Sequence, residues 1–219
     1  MNDYRVCVIG AGSAGIATMK ILVERGVDVD CYEMSDQVGG NWVWGNSNGV
    51  SAAYNSLHIN TSRKRMEFSD FPMPAHLPDF ARHDQIAEYF AAYVDHFGFG
   101  DRIRFRTRVE RVRPQDDGTF EVSLDSGESL FYDAVLVANG HHWDPRLPEP
   151  MYPGADDFRG EIMHSHTYTR ESQLADQRVV VVGMGNSAMD ISVDASYHAA
   201  ATYLSARRGV HCRVSRFVS

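Results

Sequence analysis

Apolar residues fill positions 4–10 almost without interruption and stop at Gly10, the pattern of a parallel strand buried on both faces. Ile16, Met19 and Leu22 then recur at helical spacing, with Ala17 and Val23 beside them, and predict a helix over 13–25. Gly26 ends that helix and "VDVDCYE" follows as a second strand, so the chain opens as a βαβ unit. A loop rich in Gly, Asn, Ser and Trp spans 35–55. The Pro-bearing "FPMPAHLP" precedes a helix at about 82–97, closed by Gly98.

Residues 102–137 change character. "RIRFRTRVERVR", "GTFEVSL" and "ESLFYDAVLVA" read as three strands of a small antiparallel meander, separated by "PQDDG" and "DSG" turns. Arg102, Arg104, Arg106 and Arg108 alternate with Ile103, Phe105 and Val109 and so share one strand face, which is read as solvated. Four of the eight prolines fall in 145–153, where "DPRLPEPMYPG" excludes helix and central strand. A boundary is expected there, giving domains 1–150 and 151–219. Beyond it come a strand at 178–183, a helix at 187–199 and a strand "TYLSA".

Composition narrows the partners. The net charge is -8 and the pI about 5.6, which argues against nucleic acid or an anionic membrane. No apolar run reaches the ~18 residues of a membrane span, and no secretory leader pattern is seen at the N-terminus. Cys7, Cys31 and Cys212 form no C-x-x-C pair and are read as reduced thiols, with a cytoplasmic location expected. His141, His142, His164 and His166 lack the companions that would complete a metal site, so no metal is expected.

Two glycine turns carry the chemistry. Gly10, Gly12 and Gly15 give G-x-G-x-x-G between a strand and a helix, a turn that lets a pyrophosphate approach the backbone and the helix N-terminus at Ser13 and Ala14. Glu33 closes the second strand 23 residues after Gly10, where a carboxylate can accept from a ribose. Gly183, Gly185 and Ala188 give the G-x-G-x-x-A form, with Asn186 and Ser187 opening the next helix. The equivalent count from Gly183 reaches Ala206, flanked by Ser205, Arg207 and Arg208. Guanidinium groups suit a 2′-phosphate that a carboxylate would repel. One site is therefore expected to hold a cofactor with a free ribose 2′-OH, most simply FAD, and the other NADPH. The fold expected is α/β: two Rossmann-like dinucleotide-binding domains for FAD and NADPH, plus the meander, with the second domain incomplete.

With "FRGEIMHSHTY" lying between them, these turns resemble the flavin-containing monooxygenases. Phe158, Gly160, His164 and Tyr168 match the family's F-x-G-x-x-x-H-x-x-x-Y fingerprint. Related Baeyer-Villiger enzymes usually carry Trp, then Pro or Asp, where Tyr168 and Thr169 stand. "GGNW" resembles the flavin-proximal G-G-x-W, and "YDAVLVANGHHWDPRLP" resembles the A-T-G-H-x-x-x-P segment with Asn139 in place of Thr. "YNSLHINTSRKRMEFSDFPMP" is similar to the segment holding the family's active-site asparagine. The resemblance implies that Gly40, Asn41, Trp42, Asn60, Thr61 and Val109 contact FAD, that Tyr54 touches the nicotinamide nucleotide, and that Asn60 is the key polar group. His164 would link the domains structurally. It further implies that NADPH reduces FAD, that O₂ forms a C4a-hydroperoxyflavin, and that an amine nitrogen or sulfide takes the distal oxygen. Positioning and water exclusion would be the protein's task.

Two parallel strands cannot cover the faces of their own sheet. The chain is therefore expected to be a piece of a longer polypeptide, with the C-terminal half or a second copy as partner. Three alternatives stay open: a Baeyer-Villiger-type monooxygenase, a disulfide reductase (disfavoured by the absence of C-x-x-C), and a non-catalytic nucleotide-binding fragment.

Overall fold

Strand β1 (Arg5–Ile9) lies at the centre of a four-stranded parallel sheet, which explains its unbroken apolar run. Val6 and Val8 face one side, where helix α1 (Ser13–Glu24) presents Ile16 and Met19, while Cys7 faces the other. In the computed structural model residues 4–209 are described. Strand β2 (Asp28–Tyr32) pairs with β1 from Arg5↔Asp28 to Ile9↔Tyr32. A short helix, α2 (Arg63–Met66), precedes α3 (His83–Phe97). Helix α3 buries Ile86, Tyr89, Phe90, Tyr93 and Val94, a 3-and-4 spacing that adds an aromatic layer to the α1 side of the sheet. Gly98 ends it in the left-handed conformation, donating to Val94 O at 3.0 Å.

The meander is smaller than the sequence pattern predicts. Its strands are β4 (Val109–Pro114), β5 (Phe120–Leu124) and β6 (Ser129–Tyr132). The first predicted strand is two, because the chain breaks at Arg106, whose φ is 50°. Its beginning, β3 (Ile103–Arg104), pairs in parallel with β2 instead. The last predicted strand also divides: after β6 the chain enters the parallel sheet as β7 (Ala134–Val137), beside β1. Asp133 fixes this switch. Its carboxylate accepts from Arg5 N at 2.7 Å and its own N–H donates to Arg5 O at 2.9 Å.

Cys7, Tyr32, Val122, Leu124 and Tyr132 fill the space between sheet and meander. Burial pushes the Cys7 thiol up to about 12 and raises that of Cys31 as well, so both are inert thiols on opposite faces of the sheet. Cys212 lies outside the described residues. The alternating arginines find carboxylates: Arg102 with Asp28, Arg104 with Glu128 and Arg106 with Asp36. All three are largely solvated and screened by water, so these pairs contribute little to stability.

The second glycine turn lies between β8 (Arg178–Val182) and α4 (Asn186–His198), and β9 (Ala201–Ser205) pairs in parallel with β8. Val179 and Val181 pack beneath Ile191 and Ala195 of α4. The opposite face of this two-stranded sheet is bare, with Val180 at 61% and Val182 at 62% exposure. Among the described residues no helix is long and apolar enough to cross a membrane.

Candidate functional site

The two glycine turns share a geometry. Each follows the carboxyl end of a parallel strand, and each helix begins on a glycine with no side-chain cap and no acidic residue in its first turn. Such a terminus leaves backbone N–H groups free for an anion.

At the first turn, Gly10 adopts φ 99°, and a Cβ there would lie 2.6 Å from Ala138 O. A Cβ on Gly15 would stand 1.9 Å from Gly10 O, so helix and turn touch backbone to backbone. Gly12 is different: its Cβ would reach nothing closer than Gly40 Cα at 3.9 Å. Free space at Gly12 is the approach a pyrophosphate needs. Ser13 and Ala14 are exposed beside it.

Glu33 follows β2 directly and is buried. Its Oε2 accepts from Ala11 N and its Oε1 from Ser35 N, both at 2.7 Å. A carboxylate offers about four acceptor positions, so two remain for ribose hydroxyls. The turn Gly40–Trp42 approaches Gly12, and Asn41 braces the loop beyond it: Asn41 Oδ1 accepts from Ala52 N at 2.9 Å. Trp42 packs on the main core. Asn60 and Thr61 are exposed, and the Asn60 amide has no hydrogen-bond partner among the described residues. Val109 stands at the start of β4, packed on the core between sheet and meander.

At the second turn, Gly183 N donates to Ser205 O at 2.9 Å and ties the turn to the end of β9. A cleft of about 1090 Å³ opens there, lined by Gly183, Met184, Ser205, Arg207 and Arg208. Pro148 and Tyr152 of the proline-rich crossing form its other wall. Asn186, Ser187 and Ala188 occupy the first turn of α4.

The connection between the turns was not legible in the sequence. Tyr54 is buried at 4% exposure, and its hydroxyl donates to Asp190 Oδ2 at 2.5 Å. Ser56 Oγ and the Tyr168 hydroxyl both donate to Asp194 Oδ2, at 2.5 and 2.6 Å. Burial first, then the bond to its carboxylate, raises the pKa of Tyr54 and of Tyr168, so both phenols stay protonated. His164 accepts from His166 N within its own turn, and the bond that leaves this segment is from His166 Nε2 to Val50 O at 3.2 Å. Among the described residues the crossing hydrogen bonds come from His166 and Tyr168, and His164 bonds within its own turn. The only local signal for the carboxylates is their spacing: Asp190 and Asp194 stand four apart on α4, next to the buried Ile191 and Ala195.

Two uncapped glycine turns, one beside a buried glutamate and the other beside two arginines, have the strand–turn–helix form of the doubly wound dinucleotide-binding folds. Comparison with known proteins agrees. A family model described as flavin-binding monooxygenase-like matches residues 3–218. The chain belongs to that family. It is similar to flavin-containing monooxygenase 5 of Oryctolagus cuniculus, 40% identical over 95% of this chain and 41% of that protein. Among solved structures, S-allyl-L-cysteine S-oxygenase from Allium sativum superimposes with a TM-score of 0.85 at 28% identity, over 97% of this chain and 53% of that one. Cyclohexanone monooxygenase, in an open crystal structure, gives 0.70 at 27% identity, over 93% of this chain and 40% of the other. The chain therefore spans about two fifths of the curated relative's length.

Proposed function

We propose that this chain carries the FAD site and the NADPH site of an O₂-dependent monooxygenase that oxygenates a soft nucleophile, an amine nitrogen or a sulfide. The observation that carries the proposal is the opposite selectivity of the two turns. Glu33 favours a ribose with a free 2′-OH, whereas Arg207 and Arg208 favour a 2′-phosphate. FAD, when bound, would supply the redox chemistry that accepts hydride from NADPH and activates O₂. The protein's own residues bind and orient. Backbone N–H groups at Ser13 and Ala14 meet one pyrophosphate, those at Asn186 and Ser187 the other, and the unpartnered Asn60 amide serves as the polar group offered to the flavin. Residues 1–150 are read as the flavin domain and 151–219 as the beginning of the NADPH domain. The two buried, protonated thiols accord with a cytoplasmic location.

Ketone oxygenation is the second reading, supported by the structural likeness to cyclohexanone monooxygenase. Tyr168-Thr169 at the end of the fingerprint favours the first.

The test is an anaerobic visible spectrum of the purified, FAD-supplemented chain, with NADPH and then O₂, followed by product analysis on a sulfide, a tertiary amine and a ketone. Flavin bleaching by NADPH and oxide formation on sulfide or amine are expected. Tight flavin binding without bleaching would overturn the proposal in favour of a non-catalytic binding module, and ester formation from the ketone would favour the second reading.

A further inference from the structure

Tyr54, Ser56 and Tyr168 converge on two carboxylates of α4, and neither Asp190 nor Asp194 has an ion-pair partner among the described residues. Hydroxyl bonds of 2.5 and 2.6 Å to a carboxylate are charge-assisted ones. The donors come from far along the chain, 136 and 138 residues away for the first two. Tyr54 and Ser56 lie in the same segment as Asn60, and that segment is itself pinned: His83 N donates to Leu57 O and Ile59 N to Ala81 O, each at 2.9 Å. The Tyr168 segment is drawn into the same knot by Asn55 N donating to Thr169 O at 2.9 Å.

Side chains four apart on a helix stand about 6 Å from one another on one face. A single anchor would let α4 pivot. Two anchors on one face fix both its position along its axis and its rotation about it. The glycine turn 183–185 leads directly into α4, whose N-cap is Gly185, so displacing the helix displaces the end of the turn.

We propose that Asp190 and Asp194 are positioning residues, which set the second glycine turn in register with the Asn60 segment by gathering the hydroxyls of Tyr54, Ser56 and Tyr168. The consequence for hydride delivery rests on the proposed function; the geometry of the clasp does not. Neither aspartate touches a nucleotide in this assignment. Losing them leaves each binding turn intact and changes only where one stands relative to the other.

The test uses the full chain with spin labels at Glu88→Cys on α3 and Tyr197→Cys on α4, both exposed, in a Cys212→Ser background. The parent should give one narrow distance distribution. Asp190→Ala with Asp194→Ala should shift or broaden it by several Å, and so, to a smaller extent, should the milder Asp194→Asn. Ile191→Ala removes packing under α4 but no hydroxyl contact. It should lower the melting temperature and leave the distribution in place. In FAD-loaded protein, Asp194→Asn should slow anaerobic flavin reduction at saturating NADPH at least tenfold, while the Kd for NADP⁺ stays within threefold. An unchanged distribution in the double variant, or in Asp194→Asn should the double variant not fold, overturns the clasp. Full-rate reduction in Asp194→Asn overturns its positioning role. If the parent itself is not reduced by NADPH, the functional reading fails and the distance measurement still decides the clasp.

Discussion

Gly12 and Gly15 belong to one motif, yet the structure gives them different duties, and alanine separates them. At Gly15 the new Cβ would lie 1.9 Å from Gly10 O and 2.9 Å from Gly10 C. A tight C–H···O contact needs ~3.3 Å, so the carbonyl must retreat by about 1.4 Å. That carbonyl belongs to the backbone joining β1 to α1, with no flexible side chain to absorb the movement. Overpacking typically costs ~1–3 kcal/mol, and a backbone contact belongs at the upper end, about 3 kcal/mol. At ~2–4 °C per kcal/mol for a chain of this size, Gly15→Ala should lower Tm by about 6–12 °C without any cofactor present. Gly12 has a φ of −74° and meets only Gly40 Cα at 3.9 Å, so alanine fits. Gly12→Ala should leave Tm unchanged or raise it, since the unfolded chain loses freedom worth ~0.4–1 kcal/mol. In the proposed FAD site its methyl would stand where the pyrophosphate approaches. Loss of one charge-assisted bond, ~1.5–3 kcal/mol, would weaken FAD binding by about 10- to 150-fold. The assays are thermal melting of the apoprotein and fluorescence titration with FAD. Melting of Gly15→Ala with the parent, or destabilisation of the apoprotein by Gly12→Ala as strong as that by Gly15→Ala, would contradict these two steric roles.

Two further outcomes follow from the electrostatics. Arg207→Ala with Arg208→Ala should weaken NADPH binding at least tenfold, at ~1.5–3 kcal/mol per charged hydrogen bond, and leave NADH binding within about twofold; equal losses for both nucleotides, read by fluorescence titration, would remove the arginines from the 2′-phosphate. Burial raises the pKa of Tyr54, Tyr132 and Tyr168, so the fold favours their neutral forms. That contribution to stability is complete below the unfolded tyrosine value of ~10 and is lost as pH climbs beyond it; urea unfolding should show a midpoint steady to about pH 10 that falls above it, with a shallower fall in Tyr54→Phe.

Local pattern was enough for the elements that bury a face, or both faces, at a regular period. The run 4–10, the helix beginning at Ser13 and the spacing of α3 were readable because burial of a face leaves its period in the chain. The glycine turns were readable for a related reason: a φ of 99° at Gly10 and a 1.9 Å approach at Gly15 exclude side chains by local sterics alone. Even the more open second turn was encoded. Ala188 stands where the first turn has glycine, and a Cβ on Gly183 would meet its methyl at an unstrained 3.9 Å.

Strand partnership was not encoded in that way. "RIRFRTRVERVR" and "ESLFYDAVLVA" each look like one strand, because β-propensity and alternation report an extended chain and not the sheet it joins. Only the long-range pairing of β3 with β2 and of β7 with β1, with Asp133 holding Arg5, divided them. The clasp on α4 lay further still from view. Asp190 and Asp194 look like ordinary polar positions on a helix, and Tyr54 and Ser56 like loop residues. Their meaning is a hydrogen bond, and a hydrogen bond between groups more than 130 residues apart exists only once the fold has brought donor to acceptor. Sequence determined the two glycine turns because each is a local steric fact; their relation to one another was decided by tertiary structure, because it is held by contacts that no local period records.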